Sequence, residues 1–172
     1  MKSPENGEDQ FVVVGRELPL SGSAMIELLH AVLDKGLPFR FRATGFSMSP
    51  FIKNDDVITV RSMGSDAPRL GEVVAFRHPA SQRLVVHRVV ESGVETCRIR
   101  GDAISEDDGS VPRSNILGRV ASVERNGKPV RLGMGPERAF IAFLTRSGLF
   151  LRVIIPIWMI IRPIVRPNRR SM

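Results

Sequence analysis

Gly71-Glu72-Val73-Val74-Ala75-Phe76, followed across a polar break by Leu84-Val85-Val86-His87-Arg88-Val89-Val90, sets the architecture of this chain. Both runs are dense in β-branched and apolar residues, and the break between them holds Pro79, Ala80, Ser81 and Gln82. Such a pattern predicts two strands joined by a loop, because branched side chains suit a pleated surface and proline does not suit a ladder. His78, beside Pro79, reads as a loop residue.

Outward from this pair the same texture continues. Arg40-Phe41-Arg42-Ala43 and Val57-Ile58-Thr59-Val60-Arg61 alternate, and residues 95–100 and 116–123 supply further strands. Short strands separated by Gly, Pro, Asp and Asn predict a mainly β fold, either coiled antiparallel sheets or a small β-barrel. On the N-terminal side, Met25, Leu28, Leu29, Val32 and Leu33 recur at helical spacing, predicting a core-facing helix over residues 24–35 that carries a partly exposed His30. Residues 11–14 suggest a short strand, and residues 1–10, acidic and polar, a disordered leader with no cleavable signal sequence. The expected organisation is therefore a leader at 1–10, a strand and helix at 11–37, a β domain at 38–137 and a distinct segment at 138–172.

That last segment is apolar and basic. Residues 139–144 and 153–161 are uninterrupted apolar runs, with Arg146, Arg152, Arg162 and Arg166 placed between and after them. Neither reaches the roughly 20 residues needed to span a bilayer. Pro156 and Pro163 would end or kink a helix. An amphipathic segment lying in the interface of an anionic membrane is the expectation, and its removal should leave the β domain folded. Packing on the β domain as core has the same periodicity and is the alternative.

A formal charge of +7 invites comparison with nucleic-acid binders. Tyrosine is absent, there is one tryptophan, and no cluster of Lys and Arg interleaved with aromatics occurs in the body, so no nucleic-acid partner is expected. Cys97 is the single cysteine, which excludes an intrachain disulfide and a cysteine-based zinc site. Glu106, Asp107 and Asp108 lack the alternate spacing of a calcium loop, so no metal is expected there.

Ser47-Met48-Ser49-Pro50 precedes His87, which precedes Gly101-Asp102 and then Glu106-Asp107-Asp108. Serine, histidine and an acid are the residue types of a nucleophile, a general base and the group that orients the base. Asp102, Asp107 and Asp108 all qualify for the third role. His87 shares its strand face with Val85 and Val89, and Arg88 points the other way. No lysine competes as base, since Lys53 follows the serine too closely and Lys128 lies beyond the last of these segments.

Five segments in order resemble signal peptidase I, in its endoplasmic-reticulum and archaeal branch, where histidine replaces the bacterial lysine. They are Thr44-Gly45-Phe46-Ser47-Met48-Ser49-Pro50-Phe51, Gly71-Glu72-Val73-Val74-Ala75-Phe76, Leu84-Val85-Val86-His87-Arg88-Val89-Val90, Arg100-Gly101-Asp102-Ala103 and Leu117-Gly118-Arg119-Val120. The resemblance covers roughly residues 40–124 and implies the coiled β fold of that family. It implies Ser47 as nucleophile, because the family's serine immediately precedes the methionine, which leaves Ser49 a decoy. It implies His87 as base and Asp108 as the orienting acid, with Asp107 the runner-up, since a one-residue loop shift would exchange them. Met48, Pro50, Gly101 and Asp102 would shape the site. Gly45 stands where some relatives carry an oxyanion-donating serine, so the Ser47 backbone N–H would be the principal donor; Ala103 stands in place of an asparagine.

The activity implied is that of a serine endopeptidase, without cofactor, cutting signal or leader peptides after small residues. The substrate would be a preprotein segment bound in extended form. The localisation implied is a membrane surface, on a side the sequence does not fix. Two other readings accompany it. Self-cleaving repressor peptidases share the fold but use lysine and a DNA-binding helix-turn-helix, which one helix cannot supply. A degenerate peptidase domain would bind peptides or act as a scaffold at the membrane without cutting.

Overall fold

A computed structural model describes residues 12–13 and 22–149. The predicted leader, the apolar run at 153–161 and Trp158 lie outside the described residues. Nine strands form one sheet: β1 (Val12–Val13), β2 (Phe39–Arg42), β3 (Val57–Arg61), β4 (Val73–Arg77), β5 (Leu84–Ser92), β6 (Thr96–Arg100), β7 (Ser110–Pro112), β8 (Ile116–Arg125) and β9 (Lys128–Pro129). Among the described residues two α-helices accompany it, α1 (Gly22–Leu33) and α2 (Arg138–Arg146). The chain is mainly β, as its sequence predicts.

The spatial order is β1-β2-β3-β8-β4-β5-β6-β7, with β9 hairpinned onto β8. β1 pairs parallel with β2, and every other pairing is antiparallel. The sheet stays open, with β1 and β7 as its two ends, so the barrel that the sequence left as one option does not form. Register shifts at Thr59/Val60, Ala75/Phe76 and Val89/Glu91 mark bulges, the usual device for bending a strand.

Strand alternation divides the apolar residues between two faces. Val73 and Ala75 of β4 join Ile58, Val60, Leu117 and Val123 under α1, which contributes Ile26, Leu29, Val32 and Leu33. Val74 and Phe76 of the same strand face the other way, onto Val89, Cys97, Ile99 and Val111. β4 is central and buried on both faces, which is why it reads as a continuous apolar run. Ile26 adds to the core face read for α1, and His30 is exposed as expected.

The first part of the 138–172 segment belongs to this body. Ile141, Ala142 and Thr145 of α2 are buried, and Ile141 packs with Phe51 and Leu144. The opposite side of α2 exposes Phe140 (64 %) and Phe143 (61 %). No described helix is long and apolar enough to cross a membrane.

Candidate active site

Ser47 sits on a turn that the surrounding loop holds at several points. Ala43 N–H donates to Asp56 O (2.7 Å), Asp55 N–H donates back to Ala43 O (2.9 Å), and Gly45 N–H donates to Asn54 Oδ1 (3.1 Å). Asp56 is buried and receives Arg125 through Nε (2.8 Å) and Nη2 (2.7 Å), as well as Lys53 N–H (2.8 Å). Met48, Phe51 and Ile52 are buried: Met48 and Ile52 join the core under α1, and Phe51 packs with Ile141, which pins the turn to the body. Ser49 N–H donates to Phe46 O and Ile52 N–H to Met48 O, both at 3.0 Å, and the Ser49–Pro50 peptide is cis. Among the described residues, the Ser47 N–H has no hydrogen-bond acceptor.

The Ser47 carbonyl is also fixed. It accepts from Ala103 N–H at 2.7 Å, so the backbone rather than the side chain of Ala103 supports the site. Gly101 permits this approach: a Cβ there would lie 2.8 Å from Ser47 O and 2.8 Å from Ile104.

β5 carries His87 across from Val74 of β4. His87 Nε2 lies 2.9 Å from Ser47 Oγ, and Nδ1 lies 2.6 Å from Asp108 Oδ2. The carboxylate accepts on Nδ1, which places the neutral ring's proton on Nδ1 and leaves Nε2 free to accept from the Ser47 hydroxyl. Asp107 is turned elsewhere. It pairs with Arg98 and caps Gly109 N–H at 2.9 Å, which holds the Arg98 guanidinium above its usual pKa through the hydrogen bond and charge of Asp107. The fold thus brings together Ser47, His87 and Asp108 of the sequence candidates, and leaves Ser49 and Asp107 apart from them. Against known proteins, no family model and no curated protein matches this chain.

Behind the histidine lies a group the sequence did not single out. Arg88, one residue on and facing the opposite side of β5, is fully buried. Its Nε and Nη2 donate to Asp102 at 2.9 and 2.7 Å, and its Nη1 donates to the carbonyls of Gly71 and Gly133, each at 2.9 Å. The guanidinium also lies 5.4 Å from the centre of the Phe51 ring. Asp102, equally buried, accepts from Thr145 Oγ on α2 at 3.1 Å. Charge pairing and a hydrogen bond from every guanidinium nitrogen offset the large desolvation cost of such a pair. The result ties β5, the 101–103 turn under Ser47 and α2 into one unit. Strand alternation identified the face of Arg88, but a charged residue facing away from the site gave no signal that α2 would cover it.

A cleft of about 880 Å³ opens from Ser47 and His87. Residues 42–45 and 81–86 line it, together with Met25, Met48 and Ile58. β6 pairs with β5 only from Arg88 to Ser92, so the Leu84–His87 edge on that side has no described strand partner. Gly45, at φ +93°, would have nothing within 4 Å of a Cβ, so the wall is open at that point. Among the described residues, no group of three or more His, Cys, Asp or Glu could hold a metal ion.

Proposed function

We propose that the protein is a serine endopeptidase of the signal peptidase type. One observation carries the reading: His87 stands between Ser47 Oγ and Asp108, at 2.9 and 2.6 Å, beside an open cleft. These distances fall in the range required for proton transfer by a general base. Ser47 Oγ attacks the scissile carbonyl as its proton passes to His87 Nε2. Asp108 stabilises the resulting imidazolium and remains ionised itself. The developing oxyanion is received by the Ser47 N–H. His87 then passes its proton to the leaving amine, and a water activated by the same ring hydrolyses the acyl-ester. No cofactor enters these steps.

The substrate is an extended peptide that adds to the open Leu84–His87 edge, with backbone hydrogen bonds supplying affinity. Small residues one and three positions before the cut follow from the resemblance to signal peptidases. The exposed Phe140 and Phe143, on a helix leading into a basic and apolar chain end, suit the surface of an anionic membrane.

A peptide-binding domain without turnover is the second reading. It is favoured by the open space at Gly45, where no side chain offers a further oxyanion donor. Losing one such donor is worth about 2.7–4 kcal/mol of transition-state stabilisation. The deciding experiment uses a fluorophosphonate probe and a peptide containing Ala-x-Ala. Labelling at Ser47 and cleavage should both vanish in Ser47→Ala and His87→Ala and persist in Ser49→Ala. Turnover undiminished in Ser47→Ala refutes the assignment, and binding of the peptide without labelling selects the second reading.

A further inference from the structure

Asp108 uses one of its two carboxylate oxygens on His87. The other, Oδ1, faces a second histidine: His78 Nε2 lies 3.6 Å away. The Asp108 side chain is only 9 % exposed, and no described residue makes a hydrogen bond to Oδ1. With so little of the side chain in contact with solvent, the group that faces this second oxygen matters.

His78 is held in a single tautomer. Its Nδ1 accepts the backbone N–H groups of Ala80 and Ser81, both at 3.2 Å. A nitrogen that accepts two N–H bonds carries no proton, so the proton of the neutral ring is on Nε2 and directed at Asp108. The turn is closed by Gln82, whose N–H donates to His78 O (2.9 Å) and whose side chain donates to Pro79 O (2.6 Å). The sheet explains the placement. Val74 pairs with His87, and His78 lies four residues further along the same parity, so both rings project from one face. The buried Phe76 separates them, 6.3 Å from each ring.

We propose that His78 is a positioning residue for the triad: its Nε2–H holds the outer oxygen of Asp108, so that the inner oxygen stays in line with His87. Ser81 and Gln82, in the turn that fixes His78, also line the substrate cleft. A bound peptide pressing on that turn closes the 3.6 Å gap, as hydrogen bonds of an empty site commonly tighten on binding. The inference rests on the peptidase reading for its catalytic consequence, and on the 3.6 Å approach and the fixed tautomer of His78 for its pairing with Asp108.

Two substitutions separate the ring's two jobs. In His78→Asn the side-chain oxygen replaces Nδ1 as acceptor for the turn, as asparagine does in Asx turns, but nothing reaches Asp108. In His78→Gln the amide N–H stands near the position of Nε2–H. The first readout needs no turnover: the downfield Nδ1–H proton of His87 and the ¹⁵N shifts of His78 in full-length protein. His78 should show the Nε2–H tautomer, and the His87 signal should move or broaden in His78→Asn and return in His78→Gln. The second readout is cleavage, where His78→Asn should lower kcat by about 10- to 100-fold, the scale of a misplaced catalytic group, with KM nearly unchanged. His78→Gln should recover part of that loss. An Nδ1–H tautomer at His78, or a His87 signal and kcat indifferent to His78→Asn, overturns the proposal. Failure of the peptidase reading alone would remove cleavage from wild type and leave the spectroscopic result standing.

Discussion

Two opposite charges one residue behind the site, Arg88 and Asp102, are fixed where water does not reach. Removing one charge from such a pair leaves the other buried without compensation, which costs about 3–5 kcal/mol. Asp102→Ala should therefore lower stability by about that amount, read from the urea midpoint at unchanged slope. Combining Arg88→Met with Asp102→Leu should cost much less, because no uncompensated charge remains. The contrast shows why these residues differed in legibility. Ser47, His87 and Asp108 stand out in sequence because their types and order carry chemistry. Asp107 could not be separated from Asp108 there, since a one-residue shift in a loop exchanges them; Arg98 is the partner that turns Asp107 away. His78 lies in the loop just past β4, where Pro79 predicts it, and what a loop assignment does not convey is that the parity of β4 carries on to it for one more position.

At the scale of elements, α2 begins on an unusual cap. Glu137 folds its carboxylate back to accept Gly133 N–H at 2.7 Å and Gly135 N–H at 3.2 Å. Its pKa is held below the usual glutamate range by the hydrogen bond from its own backbone N–H, then by that from Gly133, with smaller help from Gly135 and the Arg88 charge. A depressed carboxylate contributes stability above its unfolded pKa and loses it as pH falls through the folded value. Glu137→Gln should thus lower the thermal midpoint at neutral pH, and the difference from wild type should shrink in acid. A difference independent of pH would assign the role to shape alone. The same element scale separates what was readable from what was not. β3 matches its predicted span, and β4, β5, β6 and β8 lie within two residues of theirs at each end, because runs rich in β-branched and apolar residues persist over most of each strand. β7 has three residues ending in Pro112 and β9 has two, too few for any period to register. The sheet's openness depends on which strands pair, and pairing between distant segments leaves no mark on local pattern.

For the whole molecule, α2, at the start of the segment that composition sets off at residue 138, packs on the β body. The buried side of α2 covers Asp102 through Thr145 and packs Ile141 against Phe51, while its far side leaves Phe140 and Phe143 in solvent. One helix therefore has two dissimilar neighbours: the β body within and, in the proposal made above, a membrane outside. Two truncations distinguish these attachments. Removal of residues 138–172 strips the cover from Arg88 and Asp102 and should unfold the β body or leave it molten, contrary to the expectation drawn from sequence. Removal of 150–172 retains α2 and should leave the thermal midpoint of the body intact. If the interfacial reading holds, this shorter truncation should sediment less with anionic vesicles than the full chain, and Phe140→Ser combined with Phe143→Ser should weaken sedimentation further. Added salt should weaken it too, since attraction between arginine and lipid is screened. A full-length chain that ignores anionic vesicles at low salt would refute the membrane reading and leave the fold argument untouched. A stable, folded 1–137 fragment would show that Thr145 and Ile141 are dispensable, and with them the structural tie between α2 and the turn beneath Ser47.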